Sequence, residues 1–175
     1  TCALPICHPD NITPAVMGGF NVASVHENEV KFITKSIPRT LRAVVVVPNR
    51  PISTTLSRKT LPYKYSKEDT IFNISHSSLL TAAFMSENWE MLKYASADMV
   101  HQQFRMRHMP ELFEVQKTAL KNGALMSTLS GSGSTFFSVA YSEDSQKLEL
   151  ALKEKFPHFR VMSVDFDNNG VKIEI

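Results

Sequence analysis

Residues 124–155 read ALMSTLSGSGSTFFSVAYSEDSQKLELALKEK, and the reading of this stretch decides the fold. An apolar run (124–129) enters a loop built wholly of small residues, Ser130-Gly131-Ser132-Gly133-Ser134-Thr135, and a second, aromatic and β-branched run (135–141) leaves it. Both runs have the length and composition of strands. Asp144 to Lys155 then reads as a helix. The loop holds two of the chain's six glycines. Such a loop lets backbone N–H groups come close to an anion. Read more plainly, it is a flexible hairpin connection.

Working outward, RAVVVVP (42–48) is a β-branched run of a buried strand, stopped by Pro48. Helical segments follow. Residues 53–59 predict a short helix. Residues 67–85 predict a long one, with Ile71, Ile74, Ser78, Leu79, Ala82 and Ala83 at helical spacing. Residues 88–100 predict another, and 110–121 one closed by Asn122-Gly123. Strands near 159–166 and 171–175 are expected to form a hairpin around Asp167-Asn168-Asn169-Gly170. From residue 42 on, the order predicts an α+β fold: a ferredoxin-like split βαβ with extra helices in its first crossover. Upstream, HPDNITPAVMGG (8–19) predicts a turn and a brief helix from near Pro14 with a glycine stop. Strands at 20–25 and 29–37 follow, around His26-Glu27-Asn28. Residues 8–40 do not complete a domain by themselves.

Composition excludes several classes. A net charge of +2 gives no footprint for nucleic acid, and the strands at 124–141 lack the basic, aromatic pattern of RNA-binding sheets. No apolar run approaches the roughly 18 residues of a membrane span. Cys2 and Cys7 with His8 do not complete a metal site at familiar spacing, and a chain otherwise free of cysteine points to the cytoplasm.

Four places carry candidate chemistry. His8, Asp10 and Asn11 put three polar side chains beside a helix start, as a grip on a small ligand or simply as a turn and cap. Arg58 and Arg105 are suited to bidentate binding of a carboxylate or phosphate, and equally to lying on a solvated face. Gly131, Ser132 and Gly133 form the small-residue loop. It is neither a Walker loop, lacking Gly-Lys-Ser/Thr, nor a dinucleotide fingerprint, since Phe136 stands at the third glycine.

Together these pieces are more specific. HPDN-x-x-P-A-x-x-G-G, an Arg before L-P, H-Q-x-x-R-x-x-x-x-P and S-G-S-G-x-T occur in this order, and over residues 8–175 the chain resembles the C-terminal half of homoserine kinases in the GHMP kinase superfamily. HPDN with Gly18-Gly19, and His101-Gln102 with Arg105, point to that branch; the glycine loop is shared by all branches. The resemblance implies ATP-dependent phosphorylation of the side-chain hydroxyl of L-homoserine, with Mg2+, for threonine synthesis. It implies His8, Asp10 and Asn11 beside the amino acid, Arg58 and Arg105 on its α-carboxylate, and Gly131–Gly133 near substrate and phosphates. No residue stands out as a general base, and a homodimer is implied.

The chain also departs from that family. Its ATP loop, P-x-x-x-G-L-G-S-S-A, does not occur in the sequence, so ATP and metal ligands are expected in an N-terminal half. Ser134 stands where relatives usually have proline. The expected division is therefore residues 1–7 as a non-native leader, 8–40 as the end of a ribosomal-protein-S5-like N-terminal domain, and 41–175 as the GHMP C-terminal domain. Alone, the chain is expected to lack useful kinase activity. The alternatives are a non-catalytic ferredoxin-like small-molecule-binding module, or a GHMP kinase for another small molecule.

Overall fold

A computed structural model describes residues 9–172, which fall into two compact units. The smaller comprises 9–39 and 165–172, the larger Thr40–Val164. His8, Cys2, Cys7 and the proposed leader lie outside the described residues.

In the smaller unit, helix α1 (Pro9–Met17) begins at Pro9, where the missing N–H costs nothing, and not near Pro14 as expected. Strands β1 (Phe20–His26) and β2 (Glu29–Lys35) pair antiparallel, with His26 opposite Glu29. Glu27 and Asn28 make the two-residue turn, both at positive φ, as the twist of a tight hairpin requires. Over the described residues the 167–170 turn closes no hairpin; residues 173–175 of the expected strand lie outside them. Asn168 holds Ile37 from both sides, its Oδ1 accepting the Ile37 N–H at 2.8 Å and its Nδ2 donating to the Ile37 carbonyl at 2.9 Å. Val171 N–H donates to the Val16 carbonyl at 3.0 Å. A Cβ on Gly170 would lie 2.1 Å from the Val16 oxygen, so the glycine serves close backbone approach and not a hairpin bend. Residues 171 and 172 are accordingly not strand. Val25 and Ile33 of the hairpin are more than half exposed.

The larger unit has the expected ferredoxin-like sheet. Strands β3 (Leu41–Val47), β4 (Met126–Leu129), β5 (Phe136–Tyr141) and β6 (Arg160–Val164) lie in the order β4-β5-β3-β6, each neighbour pair antiparallel. The valine run takes the centre: Val44 and Val46 are fully buried. Two helices back the sheet. In α6 (Glu111–Lys121), Leu112, Val115 and Ala119 recur at helical spacing and are buried; in α7 (Ser142–Lys155), Ser145, Leu148 and Leu152 do the same. Both stripes join Val44, Val46, Phe136 and Ala140 in one core. Phe136 sits at this junction with no exposed surface. Phe136→Ala is expected to cost about 3–5 kcal/mol, measured by denaturant unfolding of the purified protein.

The first crossover carries α2 (Thr54–Lys59), α3 (Lys67–Ser86), a 3-10 turn (Trp89–Met91), α4 (Leu92–Ala95) and α5 (Gln102–Met106). Ser66 caps α3, accepting the Asp69 N–H at 2.9 Å. Of the residues expected at helical spacing in α3, Ala83 is buried together with Phe84, whereas Ile71 and Ile74 are exposed. The single helix expected over 88–100 is broken. Asp98 turns its carboxylate to the N–H groups of His101 and Gln102, and the Asn73 carbonyl oxygen takes the Met99 N–H at 2.7 Å. Side chains thus offer this backbone better partners than a continuing helix would. No described helix is long and apolar enough to cross a membrane.

Candidate functional site

Three elements of the larger unit meet at the 130–135 loop. From α2, the buried Ser57 hydroxyl donates to the Ser132 carbonyl at 2.7 Å, and Thr54 Oγ1 lies 3.4 Å from Ser132 Oγ. From α5, Arg105 Nη1 donates to the Gly131 carbonyl at 2.8 Å. Ser134 Oγ donates to the Arg50 carbonyl at 2.9 Å, fixing the loop's far side.

Inside the loop, Ser130 and Thr135 bond across its base, and Gly133 N–H closes a turn onto the Ser130 carbonyl at 2.9 Å. The Gly131 and Ser132 N–H groups have no hydrogen-bond partner among the described residues. The two glycines, both at positive φ, do different work. A Cβ on Gly133 would meet the Leu129 side chain at 3.0 Å, so this residue is small for the fold. A Cβ on Gly131 would meet nothing within 4 Å, so its exposed backbone faces open space.

The site's charge is positive. Burial lowers the pKa of the Arg105 guanidinium. Asp98 and Tyr65 oppose that shift, and the like charge of Arg58 adds to it. Arg58, in the last turn of α2, and Arg105 therefore lie within electrostatic reach of each other, as sequence alone could not show. Arg105 Nε and His101 Nδ1 are buried with no hydrogen-bond partner among the described residues. Burial likewise pushes the His101 imidazole below its ordinary pKa, against the attraction of Asp98 and with the help of Arg105. Two guanidinium groups, free backbone N–H groups and an orphaned guanidinium nitrogen make a donor set for an anion. That set does not suit a divalent cation, which takes oxygen ligands. Among the described residues no three His, Cys, Asp or Glu side chains cluster as metal ligands.

Of the residues singled out from sequence, Arg105 is brought to the loop of Gly131, Ser132 and Gly133, and Arg58 lies within electrostatic reach of Arg105. Asp10 and Asn11 stand exposed on the first turn of α1, in the other unit, with Asn11 Nδ2 3.5 Å from Asp10 Oδ1. His8 lies outside the described residues. Sequence reading passed over Ser57, Asp98 and Asn73. Ser57 precedes Arg58 within LSRKTLP, and a fully buried serine on a six-residue helix has no sequence signal.

Residues 77–158 match the family model described as GHMP kinases C terminal. Over 168 residues, 96% of its length, the chain is 81% identical to a homoserine kinase of Aliarcobacter butzleri (strain RM4018). Residues 77–158 thus carry a GHMP kinase C-terminal domain. A homoserine kinase of Helicobacter pylori (strain ATCC 700392 / 26695) is 54% identical over 95% of this chain. The chain spans 57% of the length of each of these two relatives. Among solved structures, a homoserine kinase from Cytophaga hutchinsonii superposes with a TM-score of 0.86 at 24% identity, covering 93% of this chain and 53% of that one. That likeness is one of fold.

Proposed function

We propose that the protein carrying this chain is a homoserine kinase, transferring the γ-phosphoryl group of ATP to the side-chain hydroxyl of L-homoserine and releasing ADP and O-phospho-L-homoserine. The observation that carries this reading is Arg105 bonded to a loop with free N–H groups, with Arg58 within its electrostatic reach, in a chain so similar to homoserine kinases. In this reading Arg58 and Arg105 hold the α-carboxylate, and His8, Asp10 and Asn11 lie beside the amino acid. Gly131, Ser132 and Gly133 border the place where the hydroxyl oxygen attacks.

Phosphoryl transfer asks the protein chiefly for positioning and charge stabilisation. The attacking hydroxyl oxygen forms a bond to the γ-phosphorus as the bond to the β,γ-bridging oxygen breaks. The hydroxyl proton leaves with the transferred phosphate oxygens or water, so no side-chain base is required. Arg105 fixes the substrate while its Nη1 ties it to the Gly131 carbonyl, so substrate and loop share one anchor. When bound with ATP, Mg2+ would supply charge neutralisation at the phosphates; the donor set of this loop would not hold it.

The test uses the full product of the gene that encodes this chain. L-Homoserine is expected to raise its melting temperature and to make ADP release substrate-dependent, with a new phosphomonoester signal by phosphorus NMR. Mevalonate and galactose are expected to do neither. Homoserine-independent behaviour, or protection by mevalonate or galactose instead, would reject the substrate assignment.

A further inference from the structure

Helix α5 is only five residues long, too short to hold its own geometry, because a single turn fixes many dihedrals for few hydrogen bonds. Yet it makes two connections to the candidate site. Gln102, buried, accepts the Leu129 N–H at 3.0 Å through its Oε1, at the end of β4 where the loop begins. One turn later Arg105 donates to the Gly131 carbonyl. Whatever fixes α5 therefore fixes both the guanidinium and the loop.

The fixing group is Asp98. Its side chain is 8% exposed. One carboxylate oxygen, Oδ2, accepts the N–H groups of His101 at 2.8 Å and Gln102 at 2.7 Å, two donors that a helix start leaves without partners. The other, Oδ1, accepts Asn73 Nδ2 from α3 at 2.9 Å and lies 3.7 Å from His101 Nε2. Asn73 closes the clamp by accepting the Met99 N–H through its own oxygen. Burial disfavours the Asp98 anion, but the bonds from Asn73 and from the Gln102 and His101 backbone prevail and hold its carboxyl below the usual range. A buried anion held by three hydrogen bonds tolerates little displacement.

We propose that Asp98, clamped by Asn73, is a positioning residue of the site: through the start of α5 it sets the place of the Arg105 guanidinium and of the 129–133 segment relative to each other. The activity arm of this proposal rests on the homoserine kinase reading; the geometry does not. The polarity of the clamp supplies the test. In Asp98→Asn an amide nitrogen faces either Asn73 Nδ2 or, if Asn73 turns over, leaves that nitrogen against the Met99 N–H. One donor always confronts another. The double exchange Asn73→Asp with Asp98→Asn reverses the polarity of the pair. The new amide nitrogen at position 98 can then donate to the new carboxylate at position 73, which also accepts the Met99 N–H. The new amide oxygen at position 98 accepts from His101 and Gln102. All four bonds are restored, with one negative charge moved by a side chain.

The experiment measures the full gene product in three forms, wild type, Asp98→Asn and the double exchange, by steady-state kinetics and amide hydrogen exchange. Asp98→Asn is expected to raise KM for homoserine by about tenfold or more, leave KM for ATP within about twofold, and speed exchange at Leu129 and across 102–106 by about tenfold. The double exchange is expected to return both readouts to within about threefold of wild type. Unchanged exchange and KM in Asp98→Asn overturn the proposal. So does a double exchange that restores protection without restoring KM, since position would then not be what Asp98 supplies. If Asp98→Asn does not fold, the double exchange decides alone: a folded protein of wild-type KM supports the proposal and any other result overturns it. If the wild type shows no homoserine-dependent turnover, the functional reading falls, and hydrogen exchange in the three forms decides the positioning claim.

Discussion

Arg105→Ala in the full gene product is expected to lower kcat/KM for L-homoserine by roughly two to three powers of ten, with the melting temperature nearly unchanged. Truncating one partner of a desolvated, hydrogen-bonded charge pair costs about 2–5 kcal/mol, and each 1.4 kcal/mol or so is a factor of ten. The half-buried Arg105 meets those conditions better than the exposed Arg58, so Arg58→Ala is expected to cost less. Arg105→Lys is expected to recover little. A lysine can reach one oxygen, but it cannot pair with a carboxylate in two places and hold the Gly131 carbonyl as well. Steady-state kinetics on the three variants, with unfolding midpoints alongside, check the ranking. Equal losses at Arg58 and Arg105, or loss of Arg105 activity only through unfolding, would remove Arg105 from its proposed place.

The second large effect separates the two glycines. Gly133 has φ of +86°, and an added Cβ would stand 3.0–3.3 Å from three atoms of Leu129, itself buried. Gly133→Ala is therefore expected to cost about 2–4 kcal/mol of stability, the sum of backbone strain and overpacking, and activity should fall with it. Gly131 has φ of +55°, in the left-handed region, where alanine costs only about 1 kcal/mol, and its Cβ meets no protein atom. Its methyl group would instead enter the open space before the loop. If substrate or phosphate occupies that space, Gly131→Ala loses more than about tenfold in kcat/KM while staying folded. Unfolding curves and kinetics on the pair read the difference directly; similar profiles for both variants would mean that the loop's open face is not used.

Much of this architecture was legible in the sequence because its signals are local. The valine run at 42–48, the strand pair around the glycine loop and the apolar stripe of 110–121 each specify their element within a few residues, and together they give the sheet order. The misread elements are those whose backbone partners come from far away. The 88–100 segment breaks because Asn73, more than twenty residues upstream, takes the Met99 N–H and steadies Asp98. The Asp167–Gly170 turn looks like a hairpin until Asn168 closes on Ile37, 131 positions earlier. In α3, the residues at helical spacing divide: Ala83 is buried, but Ile71 and Ile74 stand exposed.

The same distinction holds for the candidate site. Residue types and their order marked Arg58, Arg105 and Gly131–Gly133, and the motif H-Q-x-x-R drew attention to α5. What joins them is tertiary: Ser57 to Ser132 across 75 residues, Arg105 to Gly131 across 26, and Gln102 to Leu129 across 27. None of these bonds has a sequence period. Asp98 reads as one more surface carboxylate until its three hydrogen bonds are seen.

The central claim is that Arg105, bonded to the glycine loop, and Arg58 within its electrostatic reach recognise the carboxylate of an amino-acid substrate. It is tested most directly by comparing L-homoserine with its uncharged carboxamide as phosphoryl acceptors, in the wild-type gene product and in Arg105→Ala. The expected result is a wild-type preference for the carboxylate of about a hundredfold or more in kcat/KM, falling to within about threefold in the variant. A preference that survives the loss of Arg105 unchanged would show that the carboxylate is read elsewhere and would contradict the assignment.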